Sequence, residues 1–537
     1  MSQPHLPTED HSIADTIQSL IIAFVLAMAF RGFILEGFVI PTGSMAPTLL
    51  GEHILWESRE TGYTLPIEGG LIMHPNAPSG FRLTDPMLGF HPQSARRYVV
   101  EERDRSHMAS RLRAGDRILV VKSFYRFRDP SRYDIMVFKN PTNPRENYIK
   151  RLIGLPNEEI WLADGNVFTR LAGSDPSAPF RIARKPVHVQ RAVWQPLHNT
   201  DFRPIESNRL RDYAEPWIAD DDWDLAHPRG YRYTGGNSTT LVWDNTRRPI
   251  SDWNAYNMTS HDAPSFLLSD LRVAASVVPD TDGLATTLRL DTMRHVFEFV
   301  IDAENATVRM RPAESDPGTW TGVNSARHRG GFTPGRAMRI EFWHVDQRLS
   351  IWMNGREVVS LDYDWSARER IENATGRSID EITATGNVSN PFILLPNRPR
   401  ESSMTWSFRG SPVTLERVRV DRDLYYQPTE LEPGNRRQQP HDPVFDGPGR
   451  ATHPDATLTL GADHFFMCGD NSASSLDGRM WGSPHPLVAS QIDDAPFVVH
   501  RRLLIGKAWT VYFPAPYPLT EGGRSFIPDF GRLRFIR

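Results

Sequence analysis

The sequence has 537 residues, a formal net charge of −4 and one cysteine, Cys468. That length predicts two or more domains. The lack of a basic run removes the electrostatic footprint of a nucleic-acid binder, and a lone cysteine excludes an intramolecular disulfide or a cysteine zinc site. The 43 prolines and 14 tryptophans, set among short alternating stretches, favour a mainly β fold with many turns.

Residues 1–12 are polar. From Ile17 to Leu35 the chain reads IQSLIIAFVLAMAFRGFIL. At 1.5 Å per residue this helix is roughly 28 Å long, enough to cross a hydrocarbon core, with Arg31 near the end where it can snorkel. Residues 1–36 are therefore expected to be a tail and a transmembrane anchor. Two other readings stay open. The Leu20–Phe30 run with Ala27-Met28-Ala29 could be a cleavable signal sequence, although no Lys or Arg precedes it, and a buried helix could also be this apolar.

The next stretch, Phe38 to Leu49, holds Ser44 between Gly43 and Met45, with Pro41 and Pro47 on either side. Two fixed φ angles and a permissive glycine can present a hydroxyl at a set angle. A serine needs a base to act as a nucleophile. An irregular insertion with short strands is expected over 51–111 within a first host segment, 37–203. Strand patterns follow at Gly115–Lys122, Tyr133–Phe138 and Asn147–Pro156, with a tight turn at Asp164-Gly165.

Residues 204–426 change character. Met338–Phe342 and Leu349–Met353 alternate with period 2, and Asn354-Gly355 turns the chain into Glu357–Leu361. An inserted antiparallel β-sandwich is expected, one that loosely resembles laminin-G and concanavalin-like folds. The Pro/Gly-rich stretch 427–457 reads as a linker back to the host, and 458–537 completes it with a last strand over Leu503–Phe513.

Lys150 is the best candidate base. Flanked by Tyr148, Ile149, Leu152 and Ile153, an ammonium loses hydration and its pKa falls toward neutrality, so the free amine can accept the Ser44 proton. A solvated lysine at a strand edge is the bland alternative, and only the Ser44 stretch together with the later glycine–aspartate loop outweighs it. No HExxH or His/Asp cluster suggests a metal, and no cofactor is expected.

The segments Pro41–Leu49, Gly115–Val120, Tyr148–Pro156 and Gly469-Asp470-Asn471 through Asp477-Gly478-Arg479 resemble bacterial type I signal peptidases, in that family's order. The resemblance implies a membrane-anchored Ser–Lys endopeptidase on a β-rich fold. It would act on signal peptides of exported preproteins outside the bacterial cytoplasmic membrane, with membrane lipid as its other partner. Ser44 would be the nucleophile and Lys150 the base. Thr42 would donate a hydroxyl to the oxyanion hole and Ser475 would orient the lysine amine. Asp477 and Arg479 would form a structural ion pair, with Gly469, Asp470 and Asn471 shaping the nearby backbone. Shallow pockets for small residues are expected near Phe38 and Met45. The sequence departs from the pattern at Thr42, where serine is commoner, at Ser472, where arginine is frequent, and at Gly478, where serine is usual.

Two alternatives remain. One is a self-cleaving Ser–Lys repressor-type protease, disfavoured by a membrane segment where a DNA-binding module belongs. The other is a membrane-tethered binding protein whose sandwich recognises glycan or protein on a decayed peptidase scaffold. The ligand of the insert stays unknown.

Overall fold

The computed structural model describes residues 13–70, 82–88, 97–99, 111–122, 124–204, 213, 215–228, 230–236, 238–253, 265–328, 330–384, 388–395, 402–431, 445–518 and 525–537. Residues 1–12 and parts of the expected insertion and linker (71–81, 89–96, 100–110 and 432–444) lie outside the described residues.

The chain is mainly β and antiparallel, with one long apolar helix, Ile13–Phe33, at its start. That helix is exposed along its length, and Asp15–Phe33 is long and apolar enough to cross a membrane. Only Ile34 separates it from the strand Leu35–Val39, which pairs with Arg117–Val121 in the order Leu35↔Val121 to Val39↔Arg117. The Lys122 N–H donates to the Ile34 carbonyl at 2.9 Å, so sheet pairing reaches back to the foot of the helix.

The host sheet runs Leu35–Val39, Arg117–Val121, Leu504–Phe513, Ile135–Lys139, Asn147–Gly154, His464–Cys468 and Val499–His500, with Arg534–Phe535 paired to Leu504–Phe513. Its strands form where the alternation predicts them. In Arg117–Val121 the inward residues Ile118 and Val120 are fully buried while their neighbours are partly exposed. A smaller sheet packs beside it, built on the hairpin Glu158–Ala163 and Asn166–Leu171. Asp164 and Gly165 both adopt positive φ there, as a two-residue turn requires. Within the 51–111 insertion, where short strands are expected, His53–Glu57 and Thr64–Glu68 make a hairpin.

Two large sheets form the sandwich. One is built around Val413–Arg422, Leu271–Pro279, Met338–Val345 and Arg348–Met353; the other around Ser403–Arg409, Ala285–Thr292, His295–Ile301 and Asn305–Pro312. Their facing residues, Val273, Phe297, Phe342, Trp406 and Val420 among them, make one core. The Asn354-Gly355 turn is present, with φ of 48° and 80° between Met353 and Arg356. The first sheet also takes in Gln195–Asn199, which pairs with Val413–Arg422.

Host and sandwich meet in a buried ion network that sequence patterning does not reveal. Lys185 Nζ lies 2.6 Å from Asp346 and 2.8 Å from Asp423. Arg370, on a helix capped by Ser366 and Glu369, joins Asp164 of the host turn at 2.8 Å to Asp270 of the sandwich at 3.0 Å. Asn166 Nδ2 donates to Asp270 at 2.9 Å. Oxygens of Asp270, Asp346 and Asp423 gather within 4.8 Å, and Lys185 and Arg370 supply the opposing charge. Removing one partner from such a network leaves an uncompensated buried charge. Lys185→Met is therefore expected to cost about 3–5 kcal/mol in urea unfolding of the full chain, and a loss near zero would contradict this account of the seam.

Candidate active site

Ser44 sits in a single 3₁₀ turn, Gly43–Met45. The turn closes through Ala46 N–H to the Gly43 carbonyl at 2.9 Å, and the Ala46–Pro47 peptide bond is cis. The chain before it is tightly crossed. A Cβ on Gly115 would come within 1.8 Å of the Ile40 carbonyl oxygen, and one on Gly51 within 2.5 Å of the Thr42 backbone. Both positions require glycine on that ground.

Lys150 lies mid-strand in Asn147–Gly154 and is 3 % exposed. Its Nζ is 2.6 Å from Ser44 Oγ, although the two residues are 106 positions apart. Burial lowers its pKa to about 8, against the pull of the Asp477 carboxylate. A substantial fraction of the amine is thus neutral near physiological pH, as a base must be.

The loop from Gly469 to Arg479 braces this pair. The Asn471 N–H donates to the Ser44 carbonyl at 3.1 Å, and Asn471 Nδ2 donates to the Gly43 carbonyl at 3.2 Å. Arg151, next in chain to Lys150, is fully buried and grips Asp470 with Nε and Nη2 at 2.7 and 2.6 Å. Asp470 also accepts from the Thr48 hydroxyl. One carboxylate therefore ties the lysine strand, the serine turn and the loop together.

Asp477 and Arg479 are not a solvated turn pair. Both side chains are fully buried, and Arg479 Nε and Nη2 each meet an Asp477 oxygen at 2.9 Å. Arg479 also donates to the Gln427 carbonyl, the Ser472 hydroxyl and the Ser472 carbonyl at 2.8–2.9 Å. Asp477 accepts from the Gly469 N–H at 2.9 Å, and the ion pair holds its carboxyl below the usual range against the cost of burial. Ser472, a departure from the family pattern, is the hydroxyl that Arg479 and the Gln427 N–H both use.

The other expected residues fall as follows. Thr42 precedes the turn in an extended conformation, is exposed, and does not spend its hydroxyl on capping it. Ser475 is buried against Gly469, and its Oγ has no hydrogen-bond partner among the described residues, so no hydrogen bond joins it to Lys150. Phe38 is half-buried. Met45 is completely buried among Ile40, Leu49 and Ile118, so it can shape a pocket only from behind.

Several contacts lie beyond sequence reading. Glu68 Oε1 accepts from the Gly43 N–H at 3.2 Å. Near the C-terminus, Arg534 donates to the Thr48 carbonyl and Arg532 to Asp116 Oδ2, the latter at 3.1 Å. Asp116 Oδ2 also accepts from the Leu50 N–H at 3.0 Å. The lone signal available was an arginine beside the lysine inside an apolar strand.

Residues 13–83 and 93–179 match the family described as "Signal peptidase, peptidase S26". That match takes in Ser44 and Lys150 and stops short of the 469–479 loop. The "Probable signal peptidase I-2" of Synechocystis sp. is 42% identical over 81 residues, 14% of this chain and 37% of the relative. "Signal peptidase I" of Pseudomonas fluorescens is 26% identical over 161 residues, 28% of this chain and 38% of the relative. The chain thus spans well under half the length of these curated relatives. A solved carbohydrate binding module, CBM66 from Bacillus subtilis, aligns with 38% of this chain and 95% of its own at 7% identity and a TM-score of 0.22, too weak a likeness to identify a fold. Over the matched stretches the chain resembles type I signal peptidases, and it carries an extra region beyond them.

A Cβ on Gly469 would meet Ser475 Oγ at 2.2 Å and the Ser44 carbonyl oxygen at 2.5 Å. Gly469→Ala is accordingly expected to cost about 1–3 kcal/mol in urea titration, because the loop must move off the serine turn; wild-type stability would show that the loop is not seated this closely.

Proposed function

We propose that this chain is a membrane-anchored serine endopeptidase that removes signal peptides from exported preproteins by Ser–Lys acyl transfer. The observation that carries the reading is Lys150 Nζ, buried and 2.6 Å from Ser44 Oγ. The family match supports signal peptides as the substrate class. The exposed apolar helix, spliced directly into the host sheet, supports a membrane anchor, and the family match supports the bacterial cytoplasmic membrane with the catalytic region on its outer side.

In this mechanism Ser44 Oγ attacks the scissile carbonyl carbon while neutral Lys150 takes its proton. The tetrahedral oxyanion is received by the Ser44 N–H and the Thr42 hydroxyl, donors worth roughly 3–4 kcal/mol of barrier at such sites. Collapse expels the amine of the mature protein, which takes the proton from Lys150. The lysine then removes a proton from water as that water attacks the ester, and Ser44 is regenerated. Ser475, the residue the resemblance assigns to orienting the lysine amine, makes no hydrogen bond to it here, and the acyl-transfer steps do not require one. The reading of a decayed scaffold kept for its insert has no support in a lysine held buried against the serine.

The direct test is cleavage of a detergent-solubilised preprotein by wild type and Ser44→Ala, with product N-termini sequenced. A single cut after an A-x-A-like site, absent in the variant, is expected; no cut by folded wild type on several preproteins would end this reading. The pH dependence has a definite sign. Because Lys150 must be neutral, kcat/KM for the free enzyme should rise about tenfold per pH unit below pH 8 and level off above it. A profile flat from pH 5 to 9, as roughly bracketing that value, would assign the base elsewhere.

The same shift governs stability. Between about 8 and the ordinary lysine value of 10.5 the unfolded chain binds the extra proton, so stability rises with pH across that window and the penalty is fully present below it. Lys150→Met should therefore abolish cleavage while raising stability at neutral pH by up to about 3 kcal/mol, read from urea unfolding. A marked loss of stability would show that the charged amine is stabilising.

A further inference from the structure

A cavity of about 550 Å³ opens where the helix meets the host sheet. Phe33 of the last helical turn, Phe38 of the first strand and Ile505 of the closing strand give it an apolar wall. Lys122, Lys139 and Arg501 line it as well, against a single carboxylate, Glu36. The cations are unequal. Lys122 is matched by Glu36 at 3.1 Å, and Arg501 is shared between Asp129 and Asp463 at 3.0 Å each. Among the described residues Lys139 makes no ion pair with a carboxylate.

We propose that this cavity holds the headgroup phosphate of an anionic bilayer phospholipid, with Lys139 as its counter-charge and the lipid's apolar portion against Phe33. The proposal rests on reading Ile13–Phe33 as a membrane anchor. A helix of 21 residues is about 31 Å long, so its end at Phe33 lies where hydrocarbon gives way to headgroups. The cavity begins at that residue, and the Lys122 N–H bonded to the Ile34 carbonyl fixes the sheet to the helix there. Height and lining agree: a wall that is apolar on one side and cationic on the other matches an amphiphile with a negative head. Free phosphate has no use for the aromatic wall. The apolar stretch and small-residue cleavage region of a signal peptide carry no anion to match Lys139.

The test reconstitutes full-length protein in phosphatidylcholine vesicles with or without phosphatidylglycerol, the latter spin-labelled at its headgroup. An immobilised phosphatidylglycerol population is expected for wild type. Lys139→Glu should weaken it roughly tenfold, Lys139→Arg should preserve it, and added inorganic phosphate should not compete. Equal immobilisation by wild type and Lys139→Glu would overturn the proposal. So would displacement by inorganic phosphate, which makes this a soluble-anion site, or displacement by a synthetic signal peptide, which makes it a substrate site. Because the readout is lipid binding, Ser44→Ala must behave as wild type. Loss of the peptidase reading and loss of this one are thereby told apart.

Discussion

The proposed base, Lys150, can act at neutral pH only if its surroundings make the charged form expensive, and the structure around it is arranged on that constraint. Lys150 is buried in the middle of a sheet, with strands on either side and the 469–479 loop against it. The same surroundings must not strip the site of every charge, because the serine turn has to be held still. The structure meets both demands by keeping its ions in closed pairs. Arg151–Asp470 and Asp477–Arg479 are fully buried, internally neutral and saturated with hydrogen bonds. They fix the backbone around the lysine without restoring its solvation. Buried pairs of this kind are weak sources of net stability; here they supply geometry.

The ion network at the seam repeats that solution at a larger scale. Lys185 and Arg370 bind host and sandwich through carboxylates from both, so the large insert is not loosely hung on a linker. The linker itself is partly structured, since Glu430–Leu431 pairs with Gly447–Pro448. Gln427, just past the sandwich, gives its carbonyl to Arg479, and thereby connects the end of the insert to the ion pair behind Lys150.

How much of this was legible follows from how local each signal is. Period-2 alternation and the Asp164-Gly165 and Asn354-Gly355 turns act over a few residues, and the strands around them lie where the pattern puts them. Ser44 and Lys150 were legible because each is chemically odd in its own neighbourhood. Glu68 on the Gly43 N–H, Arg534 on the Thr48 carbonyl and Lys185 between two aspartates were not, because nothing beside those residues marks the partner. Ser472 shows the limit of pattern matching. It departs from the family pattern, yet its small hydroxyl is what Arg479 and Gln427 share. The burial of Met45 was equally unreadable, since one methionine in a turn carries no sign of which way it faces.

The strand Leu504–Phe513 lies between Arg117–Val121 and Ile135–Lys139, elements synthesised several hundred residues earlier. Until it arrives, the host sheet has a vacancy at its centre. The strand Leu35–Val39, which leads into the Ser44 turn, and the strand carrying Lys150 then share no continuous sheet to set their spacing, and such distant pairings are the slow ones to form. A chain lacking that strand thus owns Ser44 and Lys150 but not the sheet that sets Nζ 2.6 Å from Oγ. Under the proposed mechanism the closing strand is a safety catch, since the Ser44–Lys150 pair is held in place only once Leu504–Phe513 has joined the sheet.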